Sequence, residues 1–352
     1  MWRKTTGRWR RALGALAVVE RRSPALPVAV RWRRLEATGA VAHGVPPHPG
    51  LPAGVLPAAQ EAQAVPVTAP VAADAVLIGK FDRGRQVRMR SFYAEEALCA
   101  RIQAGSRHPE REHGVSRSVR AAQLVAAHRP GMAPAMRDHG TLFSGRTAYL
   151  VEEVVEGSTP STPAEVAATM AVVAAELTVV QEAVGVTSRP LSAVVNPAFR
   201  ERWRGVVEDG HVPPKLAARV DRLIARDDLL EVSFTHGDLV SSNVLRVGDR
   251  VVLIDWEYAG TRPVAFDLAK MHVNAGPAGP ALERLDDALD GKVGHASGHY
   301  SLAEQLALAH VVVLSRLDAR MQRAQEADRL EPLRRQTYKR VKAVSELLAL
   351  QD

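Results

Sequence analysis

The feature that most constrains the fold is the stretch FTHGDLVSSNVLRVGDRVVLID at residues 234–255. Two short apolar runs within it, VLRV and RVVLID, flank Gly248 and Asp249, a pair suited to a tight turn between antiparallel strands. The stretch therefore predicts a β-hairpin. Folding that hairpin would bring Asp255, at its end, back beside Asn243 at its start.

The polar side chains of this stretch suit phosphoryl transfer. That reaction needs a magnesium ion held against phosphates and a carboxylate that orients the incoming hydroxyl and accepts its proton. Magnesium prefers hard oxygen ligands, so Asn243 and Asp255 suit the metal. Asp238 follows His236 in an H-x-D-x-x-x-x-N spacing, which suits the base. The alternative interpretation is ordinary turn chemistry, because Asp and Asn are frequent wherever chains reverse.

Three ordered motifs carry a family resemblance: HGDLVSSNVL at 236–245, IDWEYAG at 254–260 and FDLA at 266–269. Together they resemble the aminoglycoside/choline phosphotransferase superfamily. The resemblance implies an α+β, bilobal, protein-kinase-like fold, with a small β-rich N-lobe and a larger, mainly helical C-lobe. It also implies ATP in the cleft between the lobes and magnesium as the metal.

The resemblance assigns roles to individual positions. It makes Asp238 the catalytic base, Asn243 and Asp255 the metal ligands, and His236 and Asp267 structural supports of the loop. The implied acceptor is a hydroxyl of a small molecule such as an aminoglycoside or an amino alcohol. Candidates for an acidic or aromatic pocket around a cationic acceptor are Trp256, Glu257, Asp286, Asp287 and Asp290.

A kinase-like N-lobe should offer a basic strand residue, paired with a glutamate on a helix, to hold the ATP phosphates. Lys80 in VLIGKF fits the basic residue. The following segment, RQVRMRSFYAEEALCARIQ, is predicted to be mostly helical, with Glu96 preferred over Glu95 as the partner. The competing assignment makes QVRMRSF the strand, with Arg88 or Arg90 as the phosphate contact.

The segment YLVEEVVEG resembles the interlobe strand of the family, which implies that backbone groups of Glu152 to Val154 lie near the adenine. No G-x-G-x-x-G loop precedes Lys80. This departure keeps open a second function, a non-catalytic nucleotide-binding or scaffold protein of kinase-like fold.

Changes in composition predict three parts of the chain. Residues 1–60 are a basic and then Pro/Gly-rich extension, with short possible strands near 35–43 and 64–68. Residues 61–157 are the nucleotide-binding N-lobe and include the strand candidates DAVLIGKF and TAYLVEEVV. Residues 158–352 are the helical C-lobe, with helices starting at Pro163, over KLAARVDRLIARDDLL, and over about 302–326 and 331–350.

The formal charge of +7 is confined to one end of the chain. Residues 1–40 hold ten basic and two acidic side chains, so the rest of the chain carries about −1. The basic arm is expected to pack or be solvated, with an interfacial or nucleic-acid-contacting helix as alternatives; a stable nucleic-acid partner is not expected. A single cysteine, Cys99, and the lack of a long apolar run favour a cytoplasmic protein without a membrane span.

Overall fold

The structure, a computed structural model, describes residues 13–27, 33–38, 41–43, 65–69, 72–78, 87–104, 114–326 and 330–350. The chain divides into two compact units. Unit 1 comprises Met1–Ala126 and Ala133–Glu156, and unit 2 comprises Ala127–Met132 and Gly157–Asp352. Unit 1 is rich in strands and unit 2 is mainly helical, which confirms the predicted α+β class.

The described part of unit 1 is built on one antiparallel sheet with strand order β3-β1-β2-β4-β5-β6-β8-β7. The strands are β1 Arg33–Thr38, β2 Val41–His43, β3 Val65–Ala69, β4 Ala75–Ile78, β5 Val87–Tyr93, β6 Leu98–Ala104, β7 Met136–Leu142 and β8 Thr147–Glu153. Helix α1 covers residues 13–22 and helix α2 covers Gly114–His128.

The two helices pack on opposite faces of this sheet. Side chains alternate between faces along a strand, and the packing of β8 follows that rule. Tyr149 and Val151 belong to the core that contains α1, whereas Ala148 and Leu150 pack against Val115 of α2 and its neighbours. Unit 1 therefore has two separate apolar layers.

The helix predicted over residues 85–103 is wrong. Val87–Tyr93 and Leu98–Ala104 are paired strands, joined by a turn over residues 94–97 in which Ala97 has φ 52°. Helix-favouring Ala, Glu and Leu suggested the helix, but pairing with β4 and β8 on either side overrides such local preference. The competing assignment of QVRMRSF as a strand is the one that the structure contains.

Part of the predicted N-terminal extension is also ordered structure. The sequence of the stretch that contains residues 33–38, 41–43 and 65–69 indicates mainly linker or irregular edge, with short possible strands near 35–43 and 64–68. These residues form β1 to β3 of the sheet. Helix α1 lies in the core of unit 1, where Leu16 and Val19 are fully buried. Glu20 is buried as well, and its carboxylate accepts hydrogen bonds from the Ala72 and Ala73 amides and the Tyr93 hydroxyl.

Unit 2 combines helices with two small sheets, of order β13-β10-β9 and β11-β12. Its strands are β9 Thr187–Pro190, β10 Leu229–Thr235, β11 Val244–Val247, β12 Arg250–Leu253 and β13 Gly260–Pro263. Its helices are α3 Pro163–Val184, α4 Leu191–Val194, α5 Phe199–Glu208, α6 Pro214–Arg226, α7 Val264–His272, α8 Ala278–Leu289, α9 Leu302–Leu314, α10 Leu317–Glu326 and α11 Leu330–Ala349.

Helix α3 starts where the sequence predicted. Thr162 caps it in a reciprocal capping box with Glu165, so the two side chains satisfy backbone donors that a helix start leaves unpaired. By length and composition α3 is apolar enough to cross a membrane, and half of its most apolar window is buried within the protein. Its packing against α7, α8 and β10 is that of a core helix.

The remaining helix predictions are confirmed in type but not all in extent. The helix predicted over KLAARVDRLIARDDLL ends at Arg226, because Leu229 and Leu230 belong to β10; the helix buries Leu216, Val220, Leu223 and Ile224. The single helix predicted over 302–326 is instead α9 and α10, separated at Ser315 and Arg316. There the Ser315 hydroxyl donates to the Val312 carbonyl at 2.9 Å, a local bond by which serine competes with the helical pattern.

Candidate active site

A loop after β10 carries His236 and Asp238, the first predicted residues of the site, with Gly237 between them. Gly237 has φ +79°, and a Cβ at this position would lie 2.0 Å from the Tyr258 carbonyl oxygen. Only glycine fits, because both the left-handed backbone and the close approach exclude a side chain. The loop backbone therefore passes directly against the segment that follows the hairpin.

Asp238 is partly exposed and paired. Its Oδ1 accepts a hydrogen bond from Nζ of Lys270 at 2.9 Å, and the two side chains are 38% and 25% exposed. The same ammonium donates to the Gly237 carbonyl at 2.5 Å. Arg262 donates to that carbonyl too, at 3.1 Å. Two cations thus converge on the backbone of the loop, and one of them also reaches the carboxylate.

Asp267 lies on α7 and holds the loop from the other side of its backbone. Its Oδ2 accepts a bond from the Gly237 amide at 3.1 Å and its Oδ1 accepts one from the Leu239 amide at 3.4 Å. The residue is only 4% exposed, so these donors supply the partners that a buried carboxylate needs. This geometry supports the loop rather than offering a group to a substrate.

His236 is fully buried under the same loop. Its Nδ1 accepts from the Asp238 amide at 3.2 Å, so Nε2 carries the proton and donates to the Ile254 carbonyl at 2.8 Å. Burial lowers the pKa of His236, which keeps the imidazole neutral at pH 7. The ring also packs on Trp256, with centroids 4.5 Å apart. Both ring nitrogens are thus engaged in holding the loop to the hairpin.

The hairpin forms as predicted. It returns the backbone just before Asp255 to hydrogen-bonding distance of Asn243. Strands β11 and β12 pair in register Val244 to Leu253, and the Ile254 amide donates to the Asn243 carbonyl at 3.0 Å. Asp255 therefore follows a residue that is bonded directly to Asn243. It adopts the left-handed region, with φ 70° and ψ 50°, a conformation that non-glycine residues rarely take and that Asp tolerates better than most.

The donor set at this end of the hairpin fits magnesium. The Asn243 amide nitrogen donates to the Asp238 carbonyl at 2.8 Å, which leaves Oδ1 as the atom able to bind a cation. Together with the Asp255 carboxylate this gives oxygen ligands of two residues, which suffices for an ion that takes its other ligands from phosphate and water. Within the described residues, no group of three or more His, Cys, Asp or Glu has the arrangement of a metal site.

The predicted acidic or aromatic acceptor pocket is not supported at Trp256. This residue is 2% exposed, and its indole stacks on Phe234 while Nε1 donates to the Leu253 carbonyl. Trp256 is therefore a core residue under the loop. The prediction that it lines an acceptor pocket is wrong, because its side chain is not accessible. Asp286, another candidate, lies on the surface of α8 beside the His295 imidazole, 2.9 Å away.

Unit 2 also contains a cavity of about 810 Å³. It is lined mainly by apolar groups of α6, α10, α11 and the segment before α6, such as Val212, Leu317 and Tyr338. None of its lining residues belongs to the 236–270 region. The cavity therefore gives no ground for placing the acceptor in it.

In unit 1, several predicted nucleotide contacts can be located. Lys80 lies outside the described residues. Glu96 is exposed in the turn between β5 and β6, so the helix on which it was expected is absent there. Arg88 and Arg90 lie on β5, half-buried.

Two further predicted contacts lie on and after β8. Glu152 is within the sheet ladder, opposite Cys99, and the Val154 amide donates to the Ala97 carbonyl at 2.8 Å. Both residues are thus located at the end of β8, and their role near the adenine stays a prediction.

Sequence reasoning missed Arg101. It lies on β6, only 5% exposed, with Nη1 3.7 Å from Oε1 of Glu152. Its face of the sheet is that of Leu150, on which α2 packs. The alternation of apolar residues at Leu98, Ala100 and Ile102, which pack on the other face, could have indicated a strand with Arg101 on the opposite face. The helix prediction for this segment overlooked that alternation.

Comparison with known proteins agrees with the motif analysis. A profile described as "Phosphotransferase enzyme family" matches residues 90–303. No curated protein matches the chain significantly.

Similar solved structures include a choline/ethanolamine kinase family protein from Mesorhizobium loti, 15% identical, covering 76% of this chain and 92% of its own, with TM-score 0.44. An aminoglycoside phosphotransferase from Alicyclobacillus acidocaldarius is 15% identical, covering 75% and 90%, with TM-score 0.48. A choline kinase from Streptococcus pneumoniae is 13% identical, covering 74% and 89%, with TM-score 0.47.

Proposed function

Since the chain belongs to the phosphotransferase enzyme family, whose profile covers more than half of it, we propose the following reaction. The protein transfers the γ-phosphoryl group of ATP to a hydroxyl of a small molecule such as an aminoglycoside or amino alcohol. The reaction requires magnesium, uses Asp238 as the base and takes place in the cytoplasm. The family gives the reaction class, and the site chemistry supports the finer assignment.

In this reaction the acceptor oxygen attacks the γ-phosphorus and forms a new P–O bond. The bond from that phosphorus to the β,γ-bridging oxygen breaks, and ADP leaves with its electron pair. The hydroxyl proton passes to Oδ2 of Asp238, the oxygen that Lys270 does not contact. The protein's task is thus to position the acceptor hydroxyl and receive one proton.

The observation that carries the proposal is the joint position of three oxygen-bearing side chains. Asp238 presents a partly exposed carboxylate, and the amide nitrogen of Asn243 bonds to the Asp238 carbonyl, which leaves the side-chain oxygen of Asn243 as its atom for a cation. Asp255 follows the residue paired with Asn243. Asn243 and Asp255 would hold magnesium, which when bound neutralises charge on the phosphate oxygens.

For the nucleotide phosphates we propose Arg101 as a further cation beside the predicted Lys80, with Arg88 or Arg90 as the alternative. Arg101 is buried on a strand and its acidic neighbour is Glu152, whereas Glu96 is exposed in a turn. A buried guanidinium is a strong phosphate ligand because it is permanently charged and offers several donors. The backbone of Glu152 to Val154 remains the proposed adenine contact.

The test is a panel of hydroxyl acceptors incubated with Mg–ATP, with phosphorylated product measured by mass spectrometry. Asp238→Asn should lower the rate by about 10²- to 10⁴-fold, the usual contribution of a positioned base. Asp249→Asn is the matched control, since this residue lies exposed in the hairpin turn. A wild-type rate in Asp238→Asn, or no magnesium-dependent product with any acceptor, would contradict the proposal.

A non-catalytic nucleotide-binding protein is the second candidate. One observation favours it: the described helix α2, GVSRSVRAAQLVAAH, contains no acidic residue, so it offers no glutamate to a cation on the adjacent sheet face. Protein kinases need such a helix glutamate for activity. Magnesium-dependent nucleotide binding without product from any acceptor would support this candidate.

A further inference from the structure

The Lys270 ammonium bonds to two consecutive residues of the loop after β10. It donates to the Gly237 carbonyl at 2.5 Å and to Oδ1 of Asp238 at 2.9 Å. An ammonium has three donors around one atom, so two of them here fix the loop backbone and the carboxylate relative to each other. Rotation of the Asp238 side chain would break one of these bonds.

The two oxygens of Asp238 consequently differ. Oδ1 is held by Lys270, whereas no donor among the described residues bonds to Oδ2. The side chain is 38% exposed, so Oδ2 is accessible to a small molecule. One oxygen is thus anchored and the other is available.

Lys270 acts from a rigid element. It lies on α7, three residues after Asp267, and residues three apart share one face of a helix. Asp267 accepts the amides of Gly237 and Leu239, while Lys270 donates to the carbonyl of Gly237 and the side chain of Asp238. Helix α7 therefore holds both the donors and the acceptors of the loop.

We propose that Lys270 is a positioning residue for Asp238, and this rests on the proposed function. It anchors Oδ1 so that Oδ2 points at the acceptor hydroxyl whose proton it receives. Positioning of this kind matters because a misplacement of about 1 Å costs on the order of 10²-fold in rate.

The neighbouring Arg262 provides a matched control. It donates to the same Gly237 carbonyl, at 3.1 Å, but has no bond to the Asp238 carboxylate. If Lys270 only stabilised the loop backbone, removing either cation would have a similar effect. If Lys270 positions the base, only its removal should impair the chemical step.

The experiment measures Mg–ATP hydrolysis, with water as the acceptor, in the wild type and in Lys270→Met, Lys270→Arg and Arg262→Met. For Lys270→Met we expect kcat to fall by about 10²-fold, with the KM for ATP changed by less than about threefold. Lys270→Arg, which keeps donors, should recover much of the loss. Arg262→Met should stay within about fivefold of the wild type.

A second measurement does not depend on turnover. A zero-length carbodiimide reagent adds to the Asp238 carboxyl to give an O-acylisourea. The Lys270 amine attacks its carbonyl carbon, which forms an amide and releases the urea. Peptide mass spectrometry should detect this cross-link in the wild type and in Arg262→Met.

The outcomes separate the two hypotheses. Equal losses in Lys270→Met and Arg262→Met, a change in KM alone, or a missing cross-link in active wild type would overturn the role of Lys270 and leave the proposed function standing. Absence of turnover by folded wild type, with water and with every hydroxyl acceptor, would overturn the proposed function and this role with it.

Discussion

Arg101 on β6 and Glu152 on β8 lie diagonally across neighbouring strands of unit 1, with Nη1 of the arginine 3.7 Å from Oε1 of the glutamate. The two side chains are only 6% and 15% exposed. A buried charge pair of this kind rarely adds much to stability, because desolvation offsets the attraction. The proposed phosphate contact would give this buried pair a task that needs a preorganised cation.

If that task is binding the nucleotide phosphates, Arg101→Met should weaken binding of Mg–ATP by about tenfold or more, since a charge-assisted bond contributes about 1.5–3 kcal/mol. Fluorescence titration with a nucleotide analogue measures the change. Arg88→Met and Arg90→Met on the adjacent strand are the controls. Loss of binding in either of these, with Arg101→Met unaffected, would favour the alternative assignment.

The contrast between unit 1 and the loop after β10 shows what local sequence determines. The hairpin between Asn243 and Asp255 could be predicted, because its turn residues and apolar strands lie within a few positions of each other. The strands at 87–104 could be predicted only in part. A strand at QVRMRSF was one of two interpretations, because the composition of the segment suits a helix and only pairing with β4 and β8 decides otherwise. The bond between Lys270 and Asp238 joins residues 32 positions apart, and its formation depends on where β13 and α7 return the chain.

Three buried side chains in unit 2 are joined by hydrogen bonds, and we expect them to make the stability of the protein sensitive to acid. Arg340 Nη1 lies 3.0 Å from Nδ1 of His310, whose Nε2 lies 3.3 Å from Nδ1 of His272. Because arginine is always a donor, His310 donates onward and His272 accepts. Burial lowers the pKa of His272 to about 4, with Glu346 opposing the shift.

The sign of the pH effect follows from that shift. Between about pH 6.5, the ordinary value in an unfolded chain, and about pH 4, the unfolded state binds a proton that folded His272 does not. The free energy of unfolding should therefore fall as pH drops through this window, by at most about 3 kcal/mol from this group.

Urea unfolding at pH 7 and pH 5 measures this effect. His272→Asn should reduce the dependence, because the asparagine oxygen can accept the His310 bond without titrating. The exposed His211→Asn is the control. Equal pH dependence in His272→Asn and the wild type would contradict the assignment to His272.

From the buried contacts of Glu20 we predict that the docking of α1 contributes to the stability of unit 1. Its buried carboxylate accepts bonds from two amides and from the Tyr93 hydroxyl, and burial together with this carboxylate raises the pKa of Tyr93. Glu20→Gln should lower the free energy of unfolding by about 2 kcal/mol, since hydrogen bonds to a charged group contribute about 1.5–3 kcal/mol. Chemical denaturation measures the loss, and the exposed Glu156→Gln should be neutral. Equal stability of the two variants would mean that Glu20 is not needed to dock the helix.

Gly237 and Gly248 offer a matched test of the loop after β10. Both have positive φ, at +79° and +58°, but a Cβ on Gly237 would meet the Tyr258 carbonyl at 2.0 Å, whereas nothing lies within 4 Å of one on Gly248. Gly248→Ala should therefore cost only the left-handed penalty, about 1–2 kcal/mol of unfolding free energy. Gly237→Ala must in addition displace the backbone that carries Asp238, so we expect a larger loss of stability together with a fall in the rate of phosphoryl transfer. Urea unfolding and product formation measure the two effects, and similar behaviour of the two variants would show that the approach to Tyr258 does not constrain the loop.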